Sequence, residues 1–229
     1  MVDRMNLALV IGRRPERLRE LAERLEGLGL AVDTCADTAA LSYYPAAPRV
    51  VLWDEDARGL PAKAQPAAVA AAPIRLMIST SGTASADIDA VLLPSATEAA
   101  LSHALLAAGY SLPDDAECAA IRQTLHDLVD GDSAIVAELI ESLLVTGQTD
   151  LADYRARCAE ANWGVAGSLA HRIKGTARMA GCASLVRLSE RIEAASRNES
   201  GETVTRLNAL FEPALQKLCA ELSRLRQTG

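Results

Sequence analysis

The hydrophobic pattern changes near residue 110, and this change limits the possible folds more than any other feature. Five short apolar runs precede it, each typical of a buried strand: residues 6–11, 30–35, 49–53, 74–79 and 89–93. Helical patterns lie between and after them, at residues 15–28 and 95–108. Strands that alternate with helices predict a doubly wound α/β domain with a five-stranded parallel sheet. Residues 60–73, rich in Ala and Pro, and residues 79–87, with room for barely one helical turn, fit this pattern poorly.

After residue 113 the strand pattern is absent and only helical patterns follow. Helices are predicted at residues 114–129, 132–161, 162–180, 182–197 and 201–226. One short and four long helices on short connections predict an antiparallel all-α bundle. We therefore expect two domains, residues 1–109 and 114–229, joined by a linker at residues 110–113. Pro213 falls inside the last predicted helix and should kink it.

Composition excludes several classes of function. The 229 residues include 30 acidic and 23 basic side chains, a net charge of −7, which argues against binding to nucleic acid. No apolar stretch is long enough to enter and span a membrane, and the first residues lack an export signature, so a cytoplasmic protein is expected. The five cysteines have no C-x-x-C spacing and the three histidines are far apart, so we predict neither a metal site nor a cofactor.

The predicted helix at residues 162–180 carries the residues with the clearest chemistry. Its apolar stripe consists of Ala166, Leu169, Ile173, Ala177 and Ala180. His171 lies about 200° around the helix axis from Ile173, so we expect it to face solvent. The neighbours predicted to share its face are Gly164, Gly167, Ser168, Lys174, Gly175 and Arg178.

Three glycines around one histidine need an explanation, because each costs a helix about 0.8–1 kcal/mol relative to alanine. Small residues around an imidazole let another protein surface approach it. A neutral imidazole is a nucleophile near neutral pH, and a cation one turn away would stabilise a phosphoryl group. This helix face has no carboxylate and no second histidine, so it is poorly supplied for hydrolysis or metal chemistry. The plainer alternative is a surface histidine on an ordinary amphipathic helix.

Residues 171–181, HRIKGTARMAG, resemble the histidine-phosphotransfer (HPt) signature H-x-x-K-G-x-x-x-x-x-G. Leu185 and Leu188 fit the resemblance, and residues 159–163 resemble the short turn that usually precedes the active helix. The resemblance extends from about residue 113 to the C-terminus.

This resemblance implies that His171 accepts a phosphoryl group from the aspartate of a receiver domain and passes it on. It also implies that Lys174 supports the phosphoryl group and that Gly175 gives clearance. The partner-docking face would include Gly164, Gly167, Ser168 and Arg178. The implied partners are receiver domains of response regulators or of hybrid histidine kinases.

Residues 5–108 resemble a response-regulator receiver in architecture. A working receiver has an acidic pair after strand one, an aspartate after strand three, a Thr or Ser after strand four and a Lys-Pro after strand five. The matching positions here hold Gly12 and Arg13, Asp54, Ser79 or Thr80, and Leu93. Asp54 therefore lies in the acceptor position, while the acidic pair and the lysine are missing.

Magnesium prefers several hard oxygen ligands, and one carboxylate beside an arginine is a poor site. We therefore interpret the first half as a pseudoreceiver without metal. Arg13 is expected to stand beside Asp54 and to replace the metal by its charge; the alternative is that Arg13 points into water. Glu55 and Asp56 are expected to belong to a solvated loop.

The residues together predict a phosphorelay protein, a pseudoreceiver joined to an HPt bundle. No nucleotide-binding domain is visible, so we expect no kinase activity of its own. One alternative is a docking adaptor in which His171 is never phosphorylated. Another is that the sequence is the C-terminal part of a hybrid sensor kinase.

Overall fold

A computed structural model describes residues 7–36, 41, 48–57, 67–81 and 87–228. The chain divides into two compact units, Met1–Tyr110 and Ser111–Gly229. Tyr110, at the start of the predicted linker, is buried in the first unit, where the Arg49 guanidinium lies 4.7 Å from the centre of its ring.

The first unit contains a five-stranded parallel sheet. Its strands are β1 (Leu7–Ile11), β2 (Ala31–Cys35), β3 (Val50–Trp53), β4 (Ile74–Ile78) and β5 (Ala90–Leu92). Its helices are α1 (Pro15–Gly27), α2 (Ala67–Ala70) and α3 (Glu98–Ala107), and a short 3-10 helix spans Glu55–Ala57. The strand order is β2-β1-β3-β4-β5, a common order for doubly wound sheets. The predicted α/β fold is confirmed.

The register of the central strands fixes what meets at the carboxyl edge of this sheet. Every residue of β1 and β3 is buried, as expected for strands covered on both faces. Ile11 pairs with Trp53, so the loop after β1 lies beside Asp54. Parallel strands end at the same edge, so the loops after β4 and β5 belong to it too. The helical turn expected within residues 79–87 falls mostly on residues 82–86, which lie outside the described residues.

The second unit is entirely helical over the residues that the structure describes in it. Its helices are α4 (Asp115–Leu128), α5 (Ser133–Ala159), α6 (Trp163–Met179), α7 (Ala183–Arg197) and α8 (Gly201–Thr228). Side chains of Asp114, Asp132 and Asn162 cap α4, α5 and α6 by accepting backbone N–H groups. The predicted helical bundle is confirmed, and α8 continues through Pro213.

A buried carboxylate fastens α4 to α7. Cys182, the residue before α7, provides no side-chain cap. Glu117 of α4 provides it instead, accepting the Ser184 backbone N–H at 2.8 Å and the Ser184 hydroxyl at 2.6 Å. This contact therefore helps to fix α7, the helix that packs closely against α6.

In the part of the chain that the structure describes, no helix has both the length and the apolar character that crossing a bilayer requires.

Candidate functional site

His171 lies on the exposed side of α6, as the helical periodicity predicts. Ala166, Leu169, Ile173 and Ala177 are buried on the opposite side. The His171 side chain is 70% exposed. A buried apolar stripe therefore anchors the helix while the imidazole stays accessible to another molecule.

A carboxylate from the neighbouring helix contacts one nitrogen of the imidazole. Glu193 of α7 places Oε2 3.3 Å from His171 Nδ1 and Oε1 2.6 Å from Lys174 Nζ. The Lys174 side chain is only 13% exposed, and Glu193 is similarly covered. One carboxylate thus fixes both the imidazole and the ammonium group.

Glu193 is ionised in this arrangement. Burial raises the pKa of its carboxyl, but hydrogen bonds from Lys174 and His171, together with their charges, outweigh burial and hold that pKa below its usual value. A carboxylate can only accept hydrogen bonds, so the contact requires a proton on Nδ1 of His171. The lone pair of the imidazole is then on Nε2, the nitrogen that Glu193 does not contact.

The resemblance led us to expect Lys174 to act on the phosphoryl group, but its ammonium group is engaged by Glu193. The other polar residues of the predicted face remain outside this contact. Ser168 donates its hydroxyl to the Gly164 carbonyl at 3.2 Å. Arg178 is exposed, with its nearest ion-pair partner, Glu190, at 3.6 Å.

The three glycines of this helix face have different surroundings. A Cβ built on Gly164 or Gly175 meets no atom within 4 Å, so both leave open space beside His171. Gly167 is buried, and its Cβ would lie 2.6 Å from Ser196 Cβ of α7. The prediction that Gly167 clears the exposed face is wrong, because α7 covers this side of α6. Gly167 instead allows the two helices to approach closely.

A pocket of about 230 Å³ adjoins the imidazole. It is lined by His171 and Glu193, by Gly167 and Ser168 of α6, and by Ser196 and Arg197 of α7. It therefore gives the imidazole a partly enclosed side bounded by hydroxyl groups, one arginine and the Glu193 carboxylate.

Sequence reasoning missed Glu193 because it considered the face of α6 alone. The available signal was the pattern of α7, where buried Ser189 and Ser196 lie four residues before and three residues after Glu193. Such spacing places all three on one helix side. A carboxylate within a buried stripe of small residues requires a partner, and the adjacent helix supplied His171 and Lys174.

The carboxyl edge of the sheet holds the predicted degenerate receiver site. Asp54 is 2% exposed, and its carboxylate lies 3.5 Å from Arg14 Nη2 and 3.9 Å from Arg17 Nε. The predicted pair between Arg13 and Asp54 is wrong. Arg13 is exposed and donates its backbone N–H to Asp56 at 3.0 Å. Arg14 has the extended backbone of a residue directly before a helix, and its side chain reaches the sheet edge instead.

The neighbouring acids are structural and do not form the solvated loop that we expected. Glu55 accepts the Thr80 backbone N–H at 2.7 Å and the Thr80 hydroxyl at 2.8 Å, while the Ser79 hydroxyl lies 3.5 Å away. Asp56 accepts from Arg14 Nε at 3.0 Å. These contacts join the loops after β1, β3 and β4.

The last two positions of this site differ in their surroundings. A Cβ on Gly12 would lie 3.1 Å from Asp54 Cβ, so the space beside Asp54 is narrow. Leu93, which the resemblance to a receiver aligns with the receiver lysine, is exposed. Within the described ranges, no three His, Cys, Asp or Glu side chains converge as metal ligands.

Comparison with known proteins identifies one region. The family model for the Hpt domain matches residues 138–228, which include most of α5 and all of α6, α7 and α8. This match supports involvement of the second unit in histidine phosphotransfer of two-component signalling. No curated protein and no solved structure matches the chain.

Proposed function

We propose that this protein is a phosphorelay intermediate in which His171 accepts a phosphoryl group from a receiver aspartate and passes it to another receiver. The observation that carries the proposal is the imidazole of His171, 70% exposed and held at Nδ1 by Glu193. This contact leaves Nε2 as the free nucleophile on a surface that another protein can reach.

The chemistry needs no base at this site. The Nε2 lone pair attacks phosphorus of the aspartyl phosphate, and the P–O bond breaks with its electron pair passing to the aspartate carboxylate. The ring gains positive charge, which the Glu193 carboxylate at Nδ1 stabilises. Transfer to the next receiver is the same step in reverse, with Nε2 as leaving group.

Access for a receiver is supported by the glycines of α6. The open space at Gly164 and Gly175 lets a partner surface approach the ring from both sides along the helix. Receiver domains are accordingly the proposed partners of this face, and Arg178 and Ser168 would border the contact.

For the first unit we propose a receiver-like docking module that does not switch. Arg14 and Arg17 supply positive charge to Asp54 where a receiver would hold magnesium. Hydrogen bonds from Thr80 to Glu55 and from Arg14 to Asp56 hold the surrounding loops in one conformation. A surface of constant shape is suited to binding a partner and unsuited to responding to phosphorylation.

The test of the first proposal is incubation with receiver domains of the same cell that have been phosphorylated by acetyl phosphate. We expect acid-labile, base-stable label on the protein and none on His171→Gln. The variant should keep the circular dichroism spectrum of the wild type, because a substitution of an exposed side chain rarely changes the free energy of unfolding by more than about 0.5 kcal/mol. Label retained by His171→Gln would contradict the assignment. Binding of receivers without any label on the wild type would make the protein a docking adaptor.

The docking module is tested with acetyl phosphate and magnesium in the absence of receivers. We expect no acyl phosphate on Asp54, with a working receiver labelled in parallel as the positive control. Magnesium-dependent label that disappears in Asp54→Asn would overturn the proposal for the first unit alone.

A further inference from the structure

We infer that the pocket beside His171 is where the phosphoryl group is held, and that Arg197 and Ser196 bind its oxygens in place of Lys174. This inference rests on the proposed function of His171. It concerns which side chains contact the transferred group, and it departs from the role that the sequence resemblance implies for Lys174.

Lys174 is poorly placed to bind a phosphoryl group because it already has an anionic partner. Its ammonium group lies 2.6 Å from Glu193 Oε1, and its side chain is 13% exposed. If Lys174 moved to the phosphoryl group, the covered carboxylate of Glu193 would lose its main counter-charge beside a second anion. Leaving a covered charge without its partner is strongly unfavourable. Lys174 is therefore a positioning residue that acts on His171 through Glu193.

Arg197 has the opposite situation. It is the last residue of α7, it is exposed, and it lines the same pocket as His171. Over the described part of the chain, no hydrogen bond or ion pair engages its guanidinium. A planar guanidinium binds two phosphoryl oxygens at once and suits this ligand better than an ammonium group. Arg197 can therefore bind the phosphoryl group without breaking an existing contact.

Ser196 is a second and independent indication of a ligand. The residue is 6% exposed and lines the pocket, and its Oγ has no hydrogen-bond partner among the described residues. Buried hydroxyl groups are normally paired, because an unpaired one loses its hydration without compensation. Because this Oγ is buried beside Gly167, the hydroxyl group would turn towards the pocket for a phosphoryl oxygen to accept the missing hydrogen bond.

The distinguishing measurement is the equilibrium distribution of the phosphoryl group between a phosphorylated receiver and the full chain. For Arg197→Gln we expect about a tenfold shift towards the receiver, since a charge-assisted hydrogen bond is lost. Arg197→Lys should recover part of the shift, and Ser196→Ala should give a smaller one. The matched control is Arg224→Gln, which removes an exposed arginine of α8 that does not line the pocket and should leave the distribution unchanged.

A spectroscopic measurement separates the two cations. The ³¹P chemical shift of the phosphohistidine should move more in Arg197→Gln, which loses a direct contact with the phosphoryl group, than in Lys174→Met, which acts only through Glu193. A shift that moves in Lys174→Met and not in Arg197→Gln would overturn the inference. So would a wild-type phosphoryl distribution in a folded Arg197→Gln protein, with the proposed function left intact. A wild-type chain that takes no label would overturn both.

Discussion

The carboxyl edge of the sheet and the exposed face of α6 both set a carboxylate beside cations, yet they leave different groups accessible. At the sheet edge, Arg14 and Arg17 lie within 3.9 Å of Asp54, the predicted counterpart of a receiver's acceptor, and Asp54 is 2% exposed. On α6, Lys174 pairs with Glu193, the carboxylate that contacts the candidate acceptor His171, and His171 itself stays 70% exposed. Cations that pair with Asp54 itself leave it inaccessible, whereas a cation that pairs with Glu193 helps to orient His171 and leaves the imidazole accessible.

The glycines follow the same division. A Cβ on Gly12 would lie 3.0 Å from Leu18 and 3.1 Å from Asp54, closer than ordinary van der Waals contact, so little space remains. Gly175 has open space where its side chain would be. A missing side chain therefore gives a partner access only where the surrounding elements do not fill the gap.

The largest effect is expected from removing Glu193, the carboxylate that contacts Nδ1 of His171. Glu193→Ala frees the imidazole to rotate and leaves Lys174 without its carboxylate. We expect transfer from phosphorylated receivers to slow by about tenfold to a hundredfold, the range for loss of a hydrogen bond to a charged group. The matched control is Glu202→Ala, which removes an exposed carboxylate of α8 that does not line the pocket. Equal rates for the two variants would show that Glu193 does not position the imidazole.

The second effect separates the two kinds of glycine on α6. Gly167→Ala places a Cβ 2.6 Å from Ser196 Cβ and should cost about 1–3 kcal/mol of unfolding free energy. Gly175→Ala, the control, meets no atom and should gain up to about 1 kcal/mol. Urea denaturation followed by circular dichroism checks both. Gly175→Leu should be stable and slow in transfer, and normal transfer by that variant would remove the clearance role of Gly175.

A third and smaller effect is expected at the sheet edge. Asp54→Asn removes the negative charge that Arg14 and Arg17 both approach. The resulting loss in the free energy of unfolding of the first unit should be smaller than the loss that Gly167→Ala causes in the second unit. Each unit has one tryptophan, Trp53 and Trp163, so Trp163→Phe leaves fluorescence that reports on the first unit alone. Transfer through His171 should be unchanged. Slower transfer by Asp54→Asn would show that the sheet edge participates in the reaction.

The smallest expected effect depends on pH and concerns Asp150, the ion-pair partner of Arg172, which follows His171 in the sequence. Asp150 is buried on α5 and paired with Arg172; burial raises the pKa of its carboxyl, and Arg172 only partly offsets this. The carboxyl ionises less readily in the folded than in the unfolded protein. Wild-type stability relative to Asp150→Asn should therefore fall as pH rises from about 3.9, the ordinary pKa, through the raised value. Urea titrations at several pH values check this, and the opposite slope would contradict it.

The sequence predicted the elements because their patterns are local. Buried strands are apolar runs and amphipathic helices repeat every 3.6 residues, so both ends of β1, α1 and α6 were predicted to within one residue. The exposure of His171 followed from the same periodicity.

Contacts between elements were the part that the sequence did not predict. Glu193 is 22 residues from His171, and only the pairing of α6 with α7 brings them together. The burial of Gly167 also depends on that pairing. At the sheet edge, Arg13 and Arg14 are adjacent in a loop without periodicity, so the pattern could not decide which one reaches Asp54.

The central claim is that Glu193 holds Nδ1 of His171 and leaves Nε2 to take the phosphoryl group. Long-range ¹H–¹⁵N spectra of protein carrying ¹⁵N-labelled histidine, recorded before and after incubation with phosphorylated receivers, identify the modified nitrogen. We predict phosphorylation at Nε2 of His171, with a proton retained on Nδ1 and with the other two histidines, His103 and His126, unmodified. A phosphoryl group on Nδ1 of His171, or on either of the other histidines, would contradict it.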